Sequence, residues 1–554
     1  MPSHQRGEHE KHLSEEVEET HTATDVVTEM SANELLQAYN AAVSEHQLSI
    51  RRSARIGVKA IAWMSVIGLV SIVDRLNETL LFGFQALPSF QKEFGAVVTQ
   101  TNTTLKWTLT AKQQELLNVL PGVAHILGLA IYGYLVDRLG TLVLVVFAVF
   151  LAFFAHNFAM VLAGTTLNNA ILAFVSAIAP AWCLELSPLA LRPYALIYMQ
   201  FVQNIAQLIA SVMCQSYANS TSRWAWRIPY AIQWGFPIPV IIATWFAPES
   251  PWWLVRHGQN EAALRSLARL HNGENDDDQM LALIQYTVVL ERALAVGGTY
   301  GDVFKGVNLR RTEVAFMSSL GQNLAGFALA GGTYFFEAAG LSASNAFSLS
   351  CGSSGLSMVA TILAAVVIKK MGRRGLWLGG TAAMCIILAV MGSLALARKQ
   401  TPAVVWPQGV CAILFNFFDL LSLGALASIL TAEIGAVNLR RKTQAVGLIG
   451  YDVSALVSGA ISPYLVNPDK ANLKGKAAWI PCFINILLFI YGYFRIPEIQ
   501  GRNSEELDIL FERRVPARQF KRYKIDREEE FGLRGLKDTG CLEPANVEPV
   551  ATLV

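Results

Sequence analysis

Charge is scarce in this chain. Of its 554 residues only 16% are Asp, Glu, Lys or Arg, where a soluble globular protein carries about 25%. That shortage argues against a water-soluble domain; the net charge of +2 says little by itself, and no nucleic-acid partner is expected. Cysteine is sparse as well. The seven are at positions 183, 214, 351, 385, 411, 482 and 541. They show no CxxC spacing, and all but Cys541 lie in apolar runs, so neither a disulfide framework nor a metal site is expected. No cofactor is expected either. Residues 1–50 are polar and mostly acidic and lack a cleavable leader pattern. Four histidines lie there (His4, His9, His12, His21), which suits a solvated tail better than a metal site.

What the chain has is apolar length. Hydrophobic residues make up 53% of it, in runs of about 20 residues, enough to cross a hydrocarbon core of about 30 Å. The expected fold class is an all-α polytopic membrane protein of about twelve spans. Spans are read at 57–84, 115–136, 141–159, 161–183, 194–216 and 228–247, then at 312–337, 345–369, 375–397, 403–429, 443–466 and 478–496. The expected organisation is a tail at 1–56, a six-helix half at 57–248, a polar loop at 249–311, a second six-helix half at 312–496 and a tail at 497–554. Arg51, Arg52, Arg55 and Lys59 precede the first span, and further Lys and Arg fall in alternate loops, which puts both termini in the cytoplasm. Asn102 and Asn219 head sequons on predicted outer loops and are candidate glycosylation sites.

The first span carries an expensive cluster: Asp74, Arg75, Asn77 and Glu78. A central Asp or Arg costs about 2.5–3.5 kcal/mol on an insertion scale. Such a group is expected to face a protein interior or a water-filled cavity and to have a partner. The halves also repeat one another. Asp137 and Arg138 follow the second span, and Gly372, Arg373 and Arg374 follow the eighth. Glu185 and Arg192 follow the fourth, and Glu433 and Arg440 recur at one common offset after the tenth. Glu249 closes the first half, in Pro248-Glu-Ser-Pro. Carboxylate–Arg pairs between neighbouring helix ends can hold one side of such a molecule shut. Positive-inside anchoring would explain the arginines but not the acids.

These motifs resemble those of the sugar porter family of the major facilitator superfamily. The resemblance rests on Pro248-Glu-Ser-Pro-Trp-Trp-Leu254, on Glu185 to Arg192 and on Gly372-Arg-Arg374. Within that family the chain is most similar to the fungal maltose permease group of α-glucoside:proton symporters. That closer likeness rests on Thr333 to Gly340, on Leu439 to Thr443 with Tyr451-Asp452, and on Glu506 to Arg518. The resemblance implies two six-helix halves around a central cavity, a small-molecule substrate near the midplane, a plasma-membrane setting and a monomer. The substrate-binding residues it implies are Gln207, Gln322 and Asn323, with Tyr334 and Asp452 as further candidates. Amides suit vicinal hydroxyls because they offer both donors and acceptors. A lone intramembrane amide can equally join helices.

Where the group carries acid, glycine, tyrosine and acid in its first span, this chain reads Asp74-Arg75-Leu76-Asn77. The group's second-span Glu falls on His125 and its eleventh-span Arg on Leu448. Asp74, Arg75, Asn77, Glu78 and His125 are therefore the coupling or cavity candidates, and proton coupling stays open. The expected function is transport of a sugar or sugar-like molecule by alternating access. Export of a fungal secondary metabolite and a non-transporting nutrient sensor are the alternatives. No motif supports an enzyme.

Overall fold

The computed structural model describes residues 57–100, 104–135, 149–187, 191–270, 277–295, 300–327, 333–338, 341–397, 401–436, 439–467, 470–500 and 504–523, with isolated positions at 37, 41, 52, 53, 55 and 502. The fold is helical apart from one two-stranded hairpin. Val58–Gly68 (α1) and Val70–Gln85 (α2) form the expected first span, broken at Leu69. Gly68, beside the break, lets Tyr198 pack closely, since a β-carbon there would stand 2.6 Å from its ring. Pro88–Phe94 (α3) leads into strands Ala96–Gln100 (β1) and Thr104–Thr108 (β2), antiparallel with Ala96 opposite Thr108. The sequence reading treated this stretch as a plain loop. Asn102, between the two strands in sequence, lies outside the described residues.

Ala111–Leu135 (α4), Phe158–Leu186 (α5) and Arg192–Ser216 (α6) follow. A β-carbon on Gly128 would fall 2.4 Å from the Ala170 carbonyl, so glycine there lets α4 and α5 approach closely. The expected span 228–247 is divided into Trp224–Ile232 (α7), a 3-10 turn at Gln233–Gly235 and Pro237–Phe246 (α8). Gly235 and Pro237 together interrupt the helical hydrogen-bond ladder there. The polar loop then folds into a small helical unit of its own: Pro251–Arg256 (α9), Asn260–Leu270 (α10) and Asp277–Ala295 (α11). It buries Leu254, Ala263, Leu267, Ile284 and Val288 against one another.

The second half comprises Gly306–Ala325 (α12), Thr333–Ala338 (α13), Ala343–Leu394 (α14), Pro402–Asp419 (α15), Ala425–Glu433 (α16), Arg440–Val466 (α17) and Trp479–Arg495 (α18). α14 is two spans joined at Gly372, whose φ of 74° no side-chain-bearing residue adopts easily. A π-turn at Leu420–Gly424 joins α15 to α16. Ser504–Glu512 (α19) packs beneath this half. Among the described residues six segments are long and apolar enough to cross a membrane: Ile197–Ser216, Ala343–Ile368, Lys370–Leu394, Ala403–Glu433, Lys442–Val466 and Lys474–Arg495. Among the described residues the largest contacts between the halves are α6 with α14 and α4 with α17, with a smaller one between α2 and α13.

Candidate functional site

Three polar layers run along the axis between the halves. The first gathers the repeated motifs at one end of the bundle. In the first half Glu185 accepts from Arg256 at 2.9 Å and from the Ser250 hydroxyl. Ser250 also caps α9, accepting from Trp253 N at 3.3 Å. The side chain of Arg192 lies outside the described positions, as do Asp137 and Arg138. Glu249 is exposed, and its backbone carbonyl accepts from Ser266 at 2.5 Å.

The second half carries the fuller network. Arg373 grips Glu433 with Nη2 at 2.9 and 3.1 Å and Nε at 3.3 Å, a fork-to-fork geometry. Glu498 accepts the backbone N–H groups of Arg373 at 2.9 Å and Arg374 at 3.1 Å. A β-carbon on Gly372 would lie 2.4 Å from a Glu498 carboxylate oxygen, so glycine makes room for the acid. Arg374 donates to the Ile496 and Tyr493 carbonyls at 2.6 Å, satisfying the open end of α18. Arg440 is exposed and donates to the Ala432 carbonyl at 2.6 Å rather than pairing with Glu433. None of these ion pairs crosses from one half to the other: Arg256 of the loop unit holds Glu185 of the first half, and Arg373 and Glu433 both belong to the second.

The middle layer holds the first-span cluster. Arg75 reaches Glu78 at 2.6 Å, three residues along the same helix, and donates to the Gln207 amide oxygen at 3.2 Å. The charge of Arg75 is thereby matched locally, and Gln207 keeps its NH2 group for another partner. Asn77 turns away: it is 2% exposed, and its amide oxygen accepts from Asn168 of α5 at 2.8 Å. Asn77 thus joins two helices. Asp74 is half-buried and makes no hydrogen bond among the described residues. From the second helix of this half, His125 points its Nδ1 at Asp452 of α17, 4.0 Å away across the interface. Its Nε2 lies 3.3 Å from the Ser176 hydroxyl of α5. Asn323 of α12 donates to the Tyr451 carbonyl at 3.4 Å. Gln322 is half-buried with its amide beside Gly424. The structure therefore brings together Arg75, Glu78 and Gln207 from one half, and couples His125 to Asp452 of the other.

The third layer closes the opposite end. Asn467, at the end of α17, donates to Gln114 of α4 at 2.7 Å and accepts from the Tyr334 hydroxyl. Tyr464 donates to Glu115 at 2.6 Å, Gln91 to Glu337 at 3.3 Å and Asn118 to the Gly459 carbonyl at 3.4 Å. Along the α6–α14 seam Asn204 donates to Thr361 at 2.7 Å, and Gln215 to Ser348 at 3.0 Å. Tyr334 is accordingly buried with Phe335 and Phe336, its hydroxyl committed to this layer. Asn219 lies exposed near the end of α6.

Sequence reasoning missed Asn168, Ser176, Gln114, Asn467, Arg256 and the seat of Glu498. Their only signal was an isolated polar side chain within an apolar helix, or an acid repeated after each half. It also missed Asp419, where a buried carboxylate oxygen meets no hydrogen-bond partner among the described residues.

Residues 64–511 match the family model described as "Sugar (and other) transporter". The chain is 29% identical over 517 residues to the general alpha-glucoside permease of Saccharomyces cerevisiae, covering 90% of this chain and 83% of the relative. It is 30% identical over 499 residues to a maltose permease of the same organism, covering 87% of this chain and 80% of the relative. Among solved structures, the inward-open xylose transporter of E. coli superposes with a TM-score of 0.62 at 18% identity, over 81% of this chain and 99% of the other. A proton:xylose symporter of the major facilitator superfamily bound to a bromodeoxyglucose gives 0.59 at 20% identity, over 81% and 99%. The fold is thus the helical transporter fold of that superfamily, and the protein is an integral membrane transporter rather than an enzyme. The chain belongs to the family of sugar (and other) transporters.

Proposed function

We propose that the protein carries an α-glucoside-type sugar across the plasma membrane by alternating access. It does so as a monomer with twelve spans in two six-helix halves and both termini in the cytoplasm. The charged layer of Glu185, Arg373 and Glu433 is then the cytoplasmic gate, and the Asn467 layer the outer one. The observation that carries this reading is the middle layer. Gln207 and Arg75 on one half, and Asn323, Tyr451 and Asp452 on the other, approach the same interface. Amides with free donors and acceptors suit vicinal hydroxyls. Bonds that cross between the halves at the outer layer, set beside ion pairs that do not cross between them at the charged layer, suit a molecule shut outside and releasing inward. The test is uptake of labelled maltose and glucose by transport-deficient yeast expressing the full chain, at two external pH values. Maltose uptake above background is the expected result. If neither sugar enters, the α-glucoside assignment is wrong, and export of candidate metabolites is measured next.

A further inference from the structure

Tyr493 and Phe494, in the last turn of α18, are 42% and 53% exposed. They close a segment apolar enough to cross a membrane, Lys474–Arg495, and aromatic rings at such an end belong at headgroup depth. The tail folds back onto them. After α19 the chain makes a 3-10 turn at Ala517–Gln519, and the Arg518 guanidinium lies 4.6 Å from the Tyr493 ring centre and 4.8 Å from that of Phe494. Arg374 lies 5.6 Å from the same Tyr493 ring. Two like charges thus converge on one aromatic side chain. Arg374 donates to backbone carbonyls of α18, and among the described residues Arg518 forms no ion pair. The nearby acid, Glu498, is committed to the backbone N–H groups of Arg373 and Arg374. The placement of Arg518 is built into the fold. Ala517 and Phe520 beside it are buried, Arg310 donates to the Val515 carbonyl at 2.8 Å, and Arg502 donates to the Phe520 carbonyl at 3.1 Å. A fixed turn therefore presents the charge, which lowers the ordering cost of binding a partner.

We propose that Arg518, with Arg374 beside it, holds the phosphate of an anionic phospholipid against the inner end of α18, and that exposed Lys521 and Arg522 add attraction to the surrounding leaflet. The inference rests on the reading that places the tail in the cytoplasm, since the cytoplasmic leaflet is the anionic one. Guanidinium forks match phosphate oxygens. The rings under Arg518 have an apolar body that suits the glycerol and upper acyl region. That seat selects a lipid over a soluble acidic peptide. A lipid already has its phosphate at this depth and its chains against Phe494, whereas a peptide would have to leave water to reach the same guanidinium. Bound there, the phosphate bridges α14, through Arg374, to the tail, through Arg518.

The experiment uses the full chain in phosphatidylcholine nanodiscs without any sugar. A bimane fluorophore is attached through Gln519→Cys, at an exposed position next to Arg518, in a background with the native cysteines replaced. The discs contain either phosphatidylserine or phosphatidylcholine carrying a nitroxide on the acyl chain near the headgroup, and quenching is recorded against the share of labelled lipid. Labelled phosphatidylserine is expected to quench at a several-fold lower share than labelled phosphatidylcholine, and added salt to shrink the difference. Arg518→Gln is expected to reduce the preference by about fivefold, the contribution of one basic side chain at an anionic surface. Arg518→Lys, which keeps the charge, is expected to restore part of it. Equal quenching by the two lipids overturns the proposal, as does an unchanged preference in Arg518→Gln. If Arg518→Gln loses quenching by both lipids alike, Arg518 fastens the tail to α18 and is not a lipid ligand. A preference abolished by excess inorganic phosphate assigns the site to soluble phosphate and overturns the lipid. Both leaflets of a nanodisc have the same composition, so the result depends neither on which end faces the cytoplasm nor on any sugar. Maltose uptake by the same chains is read separately. A preference for phosphatidylserine without maltose uptake removes the α-glucoside assignment and leaves the lipid site standing.

Discussion

Asn467 donates to Gln114 at 2.7 Å and so ties the end of α17 to the start of α4. Its other valence accepts from Tyr334, which makes one amide the junction of three helices. All of Asn467 is buried, so an unsatisfied remnant there costs about 1–3 kcal/mol. Asn467→Ala strands both Gln114 and Tyr334. Its expected effect is to open the outer end: a cysteine placed at buried Ala111, in the first turn of α4, becomes reactive to an impermeant reagent added outside. If that cysteine stays as protected as in an Asn467 background, the junction does not hold the gate.

Arg75 presents a different balance. It is matched by Glu78 at 2.6 Å and also holds Gln207 at 3.2 Å. Removing it leaves Glu78, itself exposed, without its partner in the middle layer and frees Gln207 from its donor. Arg75→Gln is therefore expected to lower sugar uptake by about tenfold or more, an effect of roughly 1.4 kcal/mol. The double change Arg75→Gln with Glu78→Gln removes both charges and is expected to restore part of the loss. Equal defects in the single and double variants would show that the pair is not the relevant partner, and protein at the surface is measured alongside to separate folding from transport.

Much of this was legible in the sequence, for reasons that differ by residue. Arg373 and Glu433 were readable because a charged pair at the end of an apolar run, repeated in each half, has few other uses. Arg75 and Glu78 stand three residues apart and so share one helical face, where the structure pairs them. Tyr334 was not readable as a gate residue. Its sequence neighbourhood is an aromatic run, and only its distance from Asn467, 133 positions on, reveals the bond. Asn77 was placed with the cavity because it stands beside charges, but a shift of two positions from Arg75 turns it by roughly half a turn toward α5. Arg440 was matched to Glu433 by repeat alone, and the backbone at Ala432 proved the nearer acceptor. Single polar residues in apolar helices carry their partners' identities only in three dimensions.

Gly372 and Glu498 form a lock between two helix ends. The carboxylate sits where a β-carbon would stand, and it accepts two successive backbone N–H groups. Gly372→Ala meets both a φ of 74° and that carboxylate. It is expected to lower the melting temperature of the purified protein and to reduce its yield. Glu498→Gln keeps the volume but weakens the hold on the N–H groups, and its expected loss is smaller. If Gly372→Ala melted with wild type, the backbone at this turn would have to be free to move the acid aside.

The tail helix α19 is attached through a buried guanidinium. Arg311 is 3% exposed, pairs with Asp508 and stacks 4.6 Å from the Phe511 ring, while Arg310 lies 5.4 Å from the same ring and donates to the Val515 carbonyl at 2.8 Å. A buried cation that loses its partner costs far more than an exposed pair is worth. Asp508 is itself partly exposed, which lets water reach the freed guanidinium and moderates the cost. Asp508→Asn is thus expected to destabilise the second half by about 1–3 kcal/mol, read as a lower melting temperature in detergent. Arg311→Met, which replaces the ion with an apolar chain of similar length against Phe511, is expected to cost less than Asp508→Asn does. The reverse order would mean that the stacking on Phe511, rather than the ion pair, fastens the tail to the bundle.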